Sequence, residues 1–224
     1  RMFTNWMEAG VRKFIFSSTA ATYGDPEYLP IDEEHPQNPI NPYGRTKLAC
    51  EWFLDDIHEA EDVQSVSLRY FNAAGAGERV GEDHDPETHL IPNLLEAAQN
   101  GEPFHLFGTD YDTRDGTCLR DFVHVQDLAD AHRAAFERLD ELGCEQINLG
   151  TQDGTTVREV VDAVEDVTKE DFPVEEDNPR PGDPAKLVAS NRKAQELLDW
   201  EPRRDLREII RDAWEWKQKH PGGY

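Results

Sequence analysis

The fold class this sequence predicts is an α/β protein: part of an open parallel sheet, followed by a smaller α/β lobe. Short apolar runs such as "RKFIFSS", "SVSLRYF" and "EQINLG" alternate with longer amphipathic segments of helical period. That alternation demands crossover connections and hence parallel strands. Turn formers gather between these runs, and neither an internal repeat nor a low-complexity tract interrupts them.

Taken in order, "MFTNWMEAG" reads as the end of a helix closed by Gly10. "RKFIFSS" reads as a buried strand, and "STAATYGDPEYLPIDEEHP" as a long loop rich in turn residues. In "NPINPYGRTKLACEWF", Asn41 is a good N-cap and Pro42 suits the first helical position, where a missing N–H costs nothing. The helix that follows sets Tyr43 one turn before Lys47 on a shared face. Ala49, Phe53 and Ile57 are expected to form its apolar seam. "SVSLRYF" is a second strand, ending in the loop "NAAGAGERVGEDHDPETH". Residues 90–100 read as a helix, "PFHLFG" as a strand, "RDFVHVQDLADAHRAAFERL" as a short strand entering a helix, and "EQINLG" as a strand. The remainder predicts a helix over 157–168, a strand near Pro173, the Pro/Gly-rich "NPRPGDPAKL", and helices near 191–198 and 205–219.

Of the 224 residues 37% are hydrophobic, with five Trp, six Tyr and ten Phe, which is enough for a packed core. No apolar run is long enough to span a membrane, and no signal-peptide pattern opens the sequence. Cys50, Cys118 and Cys144 are too few and too scattered for a disulfide framework or a zinc knuckle. A reducing, cytoplasmic setting is the expectation. Asp plus Glu number 47 against 23 Lys plus Arg, a formal net charge of −24, which repels nucleic acid and anionic membranes. The acids are spread along the chain and only seven cations are lysine, a pattern expected of a halophilic surface whose self-repulsion concentrated salt screens.

In an open parallel sheet, ligands bind beyond the carboxyl ends of the strands. Two strand ends here carry suitable groups: Ser17, Ser18 and Thr19 after the first, Phe71 and Asn72 after the second. The Tyr43 helix lies between those strands in sequence, so hydroxyl, phenol and amine can meet at one crevice. A Y-x-x-x-K spacing alone is common; with a Ser/Thr cluster at a strand end it gains weight.

The segments "FIFSSTAATYG", "NPINPYGRTKLACE", "SLRYFNAAGA", "GEDHDPETHLIP", "DYDTRDGTCLRDFVHVQDLADAH", "INLG" and "RPGDPAKLVA" stand in order along the chain. Together they resemble the UDP-glucose 4-epimerase family of extended short-chain dehydrogenase/reductases, over essentially the whole sequence. The resemblance implies a Rossmann-type cofactor sheet over 1–77 and 121–150, and a nucleotide-sugar lobe over 78–120 and 151–224. It implies NAD as cofactor, a UDP-sugar as substrate, and self-association, commonly a homodimer through the Tyr-bearing helix.

By the same resemblance Tyr43 matches the catalytic base, and Lys47 its partner, whose charge favours phenolate and which also hydrogen-bonds the nicotinamide ribose. Thr19 matches the hydroxyl that contacts the sugar O4 and relays its proton. Ser17 and Phe71 match residues near the cofactor. Arg120 and Arg180 match positions that grip the diphosphate, as guanidinium forks would. Asn72, Leu90, Phe107 and Asp183 match further substrate contacts. Leu187 falls where the family sets a gate beside the sugar's 2-position, and its middling size leaves acceptance of N-acetylhexosamines open.

Plainer roles compete at several positions. Ser17 and Ser18 could merely satisfy strand-end backbone groups, Asp183 could be a turn residue, and Arg120 a surface ion-pair partner. His84 and His89, with Asp83, Asp85 and Glu87, invite a metal reading, but the implied mechanism needs none, and no ligation is expected. His124 is expected to be a satisfied strand histidine and Cys118 an inert thiol. The family opens with a strand and a G-x-x-G-x-x-G turn that holds the NAD pyrophosphate, whereas this sequence has no glycine before Gly10. The expectation is therefore a chain lacking the first strands of the cofactor sheet, weak in NAD binding and slow or inactive by itself. A sibling 4,6-dehydratase is disfavoured because Ala20 and Ala21, not an Asp-Glu pair, follow Thr19. A UDP-glucuronate decarboxylase or epimerase, and a non-catalytic nucleotide-sugar-binding remnant, remain as alternatives.

Overall fold

Residues 2–180, 184–221 and 223 are described by the structure, a computed structural model. Helix α1, Met2–Glu8, ends where expected: Gly10 adopts φ +86°, and its N–H and that of Val11 return to the Met7 and Trp6 carbonyls. Strand β1, Lys13–Thr19, leads through a short 3-10 turn, Ala20–Thr22, into the long loop and then α2, Pro42–Glu61. Asn41 caps α2 by accepting from the Gly44 N–H at 2.8 Å, with Pro42 at the first position. A Cβ on Gly44 would stand 2.2 Å from the Ala21 carbonyl oxygen, so only glycine lets the helix press onto the loop after β1.

The face of α2 that packs inward differs from the expected seam. Gly44, Leu48, Glu51, Leu54 and Ile57 are buried, whereas Ala49 and Phe53 are exposed. The helix follows the 3.6-residue period across Leu48, Leu54 and Ile57, and the pure i+4 series through Ala49 and Phe53 drifts off the contact stripe.

Strand β2, Gln64–Tyr70, and β7, Cys144–Leu149, complete a parallel sheet of order β1-β2-β7. The register aligns Thr19 with Tyr70 and Tyr70 with Leu149, so the carboxyl ends of all three strands finish level. Between them lie β3, Asn72–Ala74; α3, Leu90–Asn100; β4, Phe104–Phe107; β5, Leu119–Arg120; β6, Phe122–His124; and α4, Val125–Leu142. After β7 come β8, Thr155–Thr156; α5, Val157–Thr168; β9, Val174–Asp177; β10, Lys186–Leu187; α6, Arg192–Leu198; and α7, Leu206–Lys219. Capping boxes, Thr156 with Glu159 and Asp205 with Glu208, start α5 and α7. β3 pairs with β6, β4 with β9, and β5 lies between β10 and β8.

Two cores carry the architecture. Val66, Leu68, Ile147 and Leu149 from the sheet pack against Leu128, Ala131, Ala135 and Leu139 of α4. Ala194, Leu198 and Trp200 join the same cluster, so α6 packs with the β1-β2-β7 sheet although it lies late in the chain. The second core joins α3, α5 and α7 through Leu94, Leu95, Val160, Val164, Ile209 and Ile210, and reaches Ala74 and Phe122 on the β3–β6 pair. Fully burying one such aliphatic side chain contributes about 1.5–3 kcal/mol. No helix among the described residues is long and apolar enough to cross a membrane.

Candidate active site

The end of β1 and the first turns of α2 meet through one hydrogen bond: Lys47 Nζ donates to the Ser17 carbonyl at 2.8 Å. This holds the ammonium 5.5 Å from the centre of the Tyr43 ring and 5.0 Å from that of Phe16. One of the three ammonium N–H groups is spent on Ser17. Thr19, which ends β1, accepts from the Ala21 N–H at 3.2 Å. Its own O–H therefore points its donor capacity elsewhere.

Tyr43 is 55% exposed and stands at the rim of a cleft of about 600 Å³. Thr19, Phe71, Asn72, Leu90, Phe107, Arg120 and Arg180 line the same cleft, so eight expected site residues share one concavity. Arg180 lays its guanidinium 3.9 Å over the Phe107 ring. Arg120 ends β5 and donates to the Leu119 carbonyl at 2.9 Å, while the Asn72 amide donates to the Asp121 carbonyl at 3.1 Å. Beneath them Asp121 accepts from the Thr151 N–H, the Thr151 hydroxyl and the Ala189 N–H. It thereby ties β5 to the chain leaving β7 and β10.

Three expected residues sit differently. Ser17 and Lys47 are not among the residues that line the cleft, and Ser17 is exposed. Leu187 pairs with Arg120 across β10–β5 but packs, as Phe71 does, against Ala20, Tyr23 and Ile31, and is not among the cleft-lining residues. Asp183 lies outside the described residues.

Further residues complete the surroundings; of these, His105, Tyr70, His132 and Glu82 were not singled out in the sequence. His105, Cys118 and Tyr70 also line the cleft. Tyr70 meets the Ser17 hydroxyl at 2.9 Å and His132 Nε2 at 2.6 Å, and His132 Nδ1 faces the Leu128 carbonyl at 2.8 Å. A carbonyl can only accept, so His132 carries a proton on Nδ1, and the Tyr70 phenol sits between the Ser17 hydroxyl and Nε2. Burial, together with the neighbouring Tyr43, pushes the Tyr70 phenol above its ordinary value. At the cleft mouth the ligand atoms of Glu82, His84, Glu87 and His89 lie within 4.8 Å of one another. His89 Nδ1 is shared there between Glu82 at 2.6 Å and Glu87 at 3.0 Å. His124 is buried and satisfied: Nδ1 accepts from the Gln126 N–H as the cap of α4, and Nε2 faces Asp212.

Residues 1–150 match the model of the NAD dependent epimerase/dehydratase family. The chain belongs to that family. Within the epimerase/dehydratases it is 52% identical over 221 residues to UDP-glucose 4-epimerase of Rhizobium meliloti (strain 1021), covering 97% of this chain and 67% of the relative. Superposition on a crystal structure of UDP-glucose 4-epimerase gives a TM-score of 0.95 at 48% identity, covering 99% of this chain and 69% of the other. The crystal structure of the Bifidobacterium longum UDP-glucose 4-epimerase, in complex with NAD+ and UDP, gives 0.93 at 38% identity, covering 99% and 68%. The chain thus spans about two thirds of the length of the relatives it matches. The resemblance read from the loop motifs and the Rossmann-type α/β fold both stand.

Proposed function

We propose that this chain carries the catalytic centre and nucleotide-sugar site of a UDP-glucose 4-epimerase, interconverting UDP-glucose and UDP-galactose through a 4-keto sugar. The observation that carries the reading is the Lys47 ammonium fixed on the Ser17 carbonyl beside the Tyr43 ring, at the rim of a cleft that also holds Arg120 and Arg180.

The donor set fits the nicotinamide half of NAD. Lys47 keeps N–H groups for ribose hydroxyls, Ser17 and Tyr70 offer an ordered hydroxyl pair, and Phe16 and Phe71 supply apolar surface beside them. When bound, NAD supplies the hydride acceptor for C4 and returns the hydride to the other face of the ring. Tyr43 takes the proton from the 4-hydroxyl, Thr19 bridges the sugar oxygen and the phenol, and Lys47 stabilises the phenolate. Arg120 and Arg180 hold the diphosphate, with Asn72, Leu90, Phe107 and Asp183 as further substrate contacts. Leu187, paired with Arg120 across β10–β5, borders the 2-position and so influences whether N-acetylhexosamines enter. The residues divide into a cofactor part, 1–77 and 121–150, and a substrate part, 78–120 and 151–224, with α6 shared.

Two further readings belong here. Exposed Trp52 and Phe53 on α2 and Phe136 on α4 support homodimer formation along these helices. The net charge of −24 supports a salt-requiring protein, and the free cysteines Cys50, Cys118 and Cys144 support a reducing, cytoplasmic setting. Incubating the purified chain with NAD+ and UDP-galactose, and following UDP-glucose, tests the central reading. Slow conversion at best, limited by weak NAD binding and lost in Tyr43→Phe, is expected. Absence of conversion, with UDP still bound, would reduce the function to nucleotide-sugar binding.

A further inference from the structure

The catalytic helix holds a carboxylate in the core. Glu51 lies two turns beyond Tyr43 and one beyond Lys47, on the same stripe of α2, and is 1% exposed. Both of its oxygens are engaged. Oε1 accepts from the Ser18 hydroxyl at 2.5 Å and from Arg69 Nε at 3.0 Å; Oε2 accepts from Arg69 Nη2 at 2.7 Å and from Gln37 at 3.2 Å. Arg69, also buried, passes the connection on from Nη1 to the Tyr23 hydroxyl at 2.8 Å, and Tyr23 donates to Asn148 at 2.7 Å. One carboxylate therefore links α2 to β1 and β2, and through Tyr23 to β7.

Stability alone is a poor reason for such a pair, because a buried ion pair is often no better than two well-packed apolar side chains. Its geometry is another matter. Lys47 is fastened to the Ser17 carbonyl and Glu51 to the Ser18 hydroxyl, one helical turn apart on consecutive residues of β1. Two anchors at that spacing fix both the rotation of α2 about its axis and its position along β1. Thr19 is the next residue of the strand. The Glu51 contact therefore bears directly on where the start of α2, with Tyr43, stands relative to Thr19.

We propose that Glu51, with Arg69, is a positioning residue for the reaction: through Ser18 it sets the register of the Tyr43–Lys47 helix against the strand end that carries Thr19. The proposal rests on the epimerase reading. Its test is the paired variant Glu51→Met/Arg69→Met, which removes both charges together and leaves neither buried alone. A misplacement of about 1 Å at a reacting centre costs roughly 10²-fold in rate. The paired variant, loaded with NAD, is expected to keep the melting temperature and UDP affinity of the wild type. Its kcat is expected to fall about 10²-fold with KM within about two-fold. Amide hydrogen exchange is expected to quicken at residues 17–19 and 43–47.

Glu51→Gln/Arg69→Met, which restores an acceptor for Ser18 without charge, is expected to recover most of the lost kcat and protection. A paired apolar variant with wild-type kcat and wild-type protection would overturn the proposal, as would a Gln variant no better than the apolar one. The exchange measurement judges Glu51 whether or not the protein turns over. A wild type that fails to epimerise counts against the functional reading alone.

Discussion

Replacing Arg180 by Gln removes the guanidinium that lies 3.9 Å over Phe107 in the cleft. The chain has 23 basic residues against 47 acidic ones, so a diphosphate entering this cleft meets few compensating cations. A hydrogen bond to a charged group contributes about 1.5–3 kcal/mol, and about 1.4 kcal/mol is a factor of ten in affinity. Loss of Arg180 is therefore expected to weaken UDP binding roughly 10- to 150-fold. Arg180→Lys keeps the charge but loses the planar fork and the ring stacking, and should fall between wild type and Gln. Phe107→Leu removes only the surface on which the guanidinium lies, worth about 0.5–1 kcal/mol at an exposed site, and should cost roughly two- to five-fold. Isothermal titration of each variant with UDP reads these differences without requiring turnover. Repeating it at higher salt should narrow the gap between wild type and Gln, since screening weakens the charge contribution. An Arg180→Gln protein whose UDP affinity stayed within about two-fold of wild type would refute the placement of the diphosphate against Arg180.

Other outcomes follow from the same geometry. Tyr43→Phe is expected to lower kcat by about 10²–10⁴-fold, with UDP affinity unchanged by titration, because it removes a proton acceptor and no contact to the nucleotide. Burial holds the His124 imidazole below its ordinary value, opposed by the adjacent Asp212. The folded state thus resists a proton that the unfolded chain accepts, so stability is full above the unfolded value near 6.5 and is lost as pH falls through the folded one. His124→Asn, which can still cap α4, is expected to show a smaller fall in melting temperature between neutral and mildly acidic pH. Thermal melts in low and in molar KCl should show the protein stabilised by salt; a melting temperature that fails to rise would reject a salt-requiring surface.

Most long elements were legible because periodicity needs length. The α3 and α5 spans, Leu90–Asn100 and Val157–Thr168, coincide with those expected, and the cap at Asn41 starts α2 as its chemistry requires. Of the strands of two or three residues, β6 was anticipated as the lead into α4, but β3, β5, β8 and β10 were not, since so short a stretch shows no alternation. Yet β5 and β10 present Arg120 and Leu187, so part of the site rests on pairing that only the tertiary structure supplies. Those residues were reached through the resemblance of whole loop motifs, whose order carries information that local pattern does not.

The helix bearing Tyr43 shows the limit most clearly. Its i, i+4 pair can be read from the chain because both members lie on one element, and a phenol and an amine one turn apart suggest chemistry by themselves. Glu51 continues the same spacing, but a carboxylate in a helix reads by default as solvated. It is buried only because Arg69, on a different element, brings the opposite charge and two donors to the same point. Burial of a charge depends on a partner, and the partner depends on the register of β2 against β1, which aligns Ser18 with Arg69. The Tyr43–Lys47 pair proposed as catalytic was thus visible in sequence, whereas the group proposed to fix its position became visible only once the strands were in register.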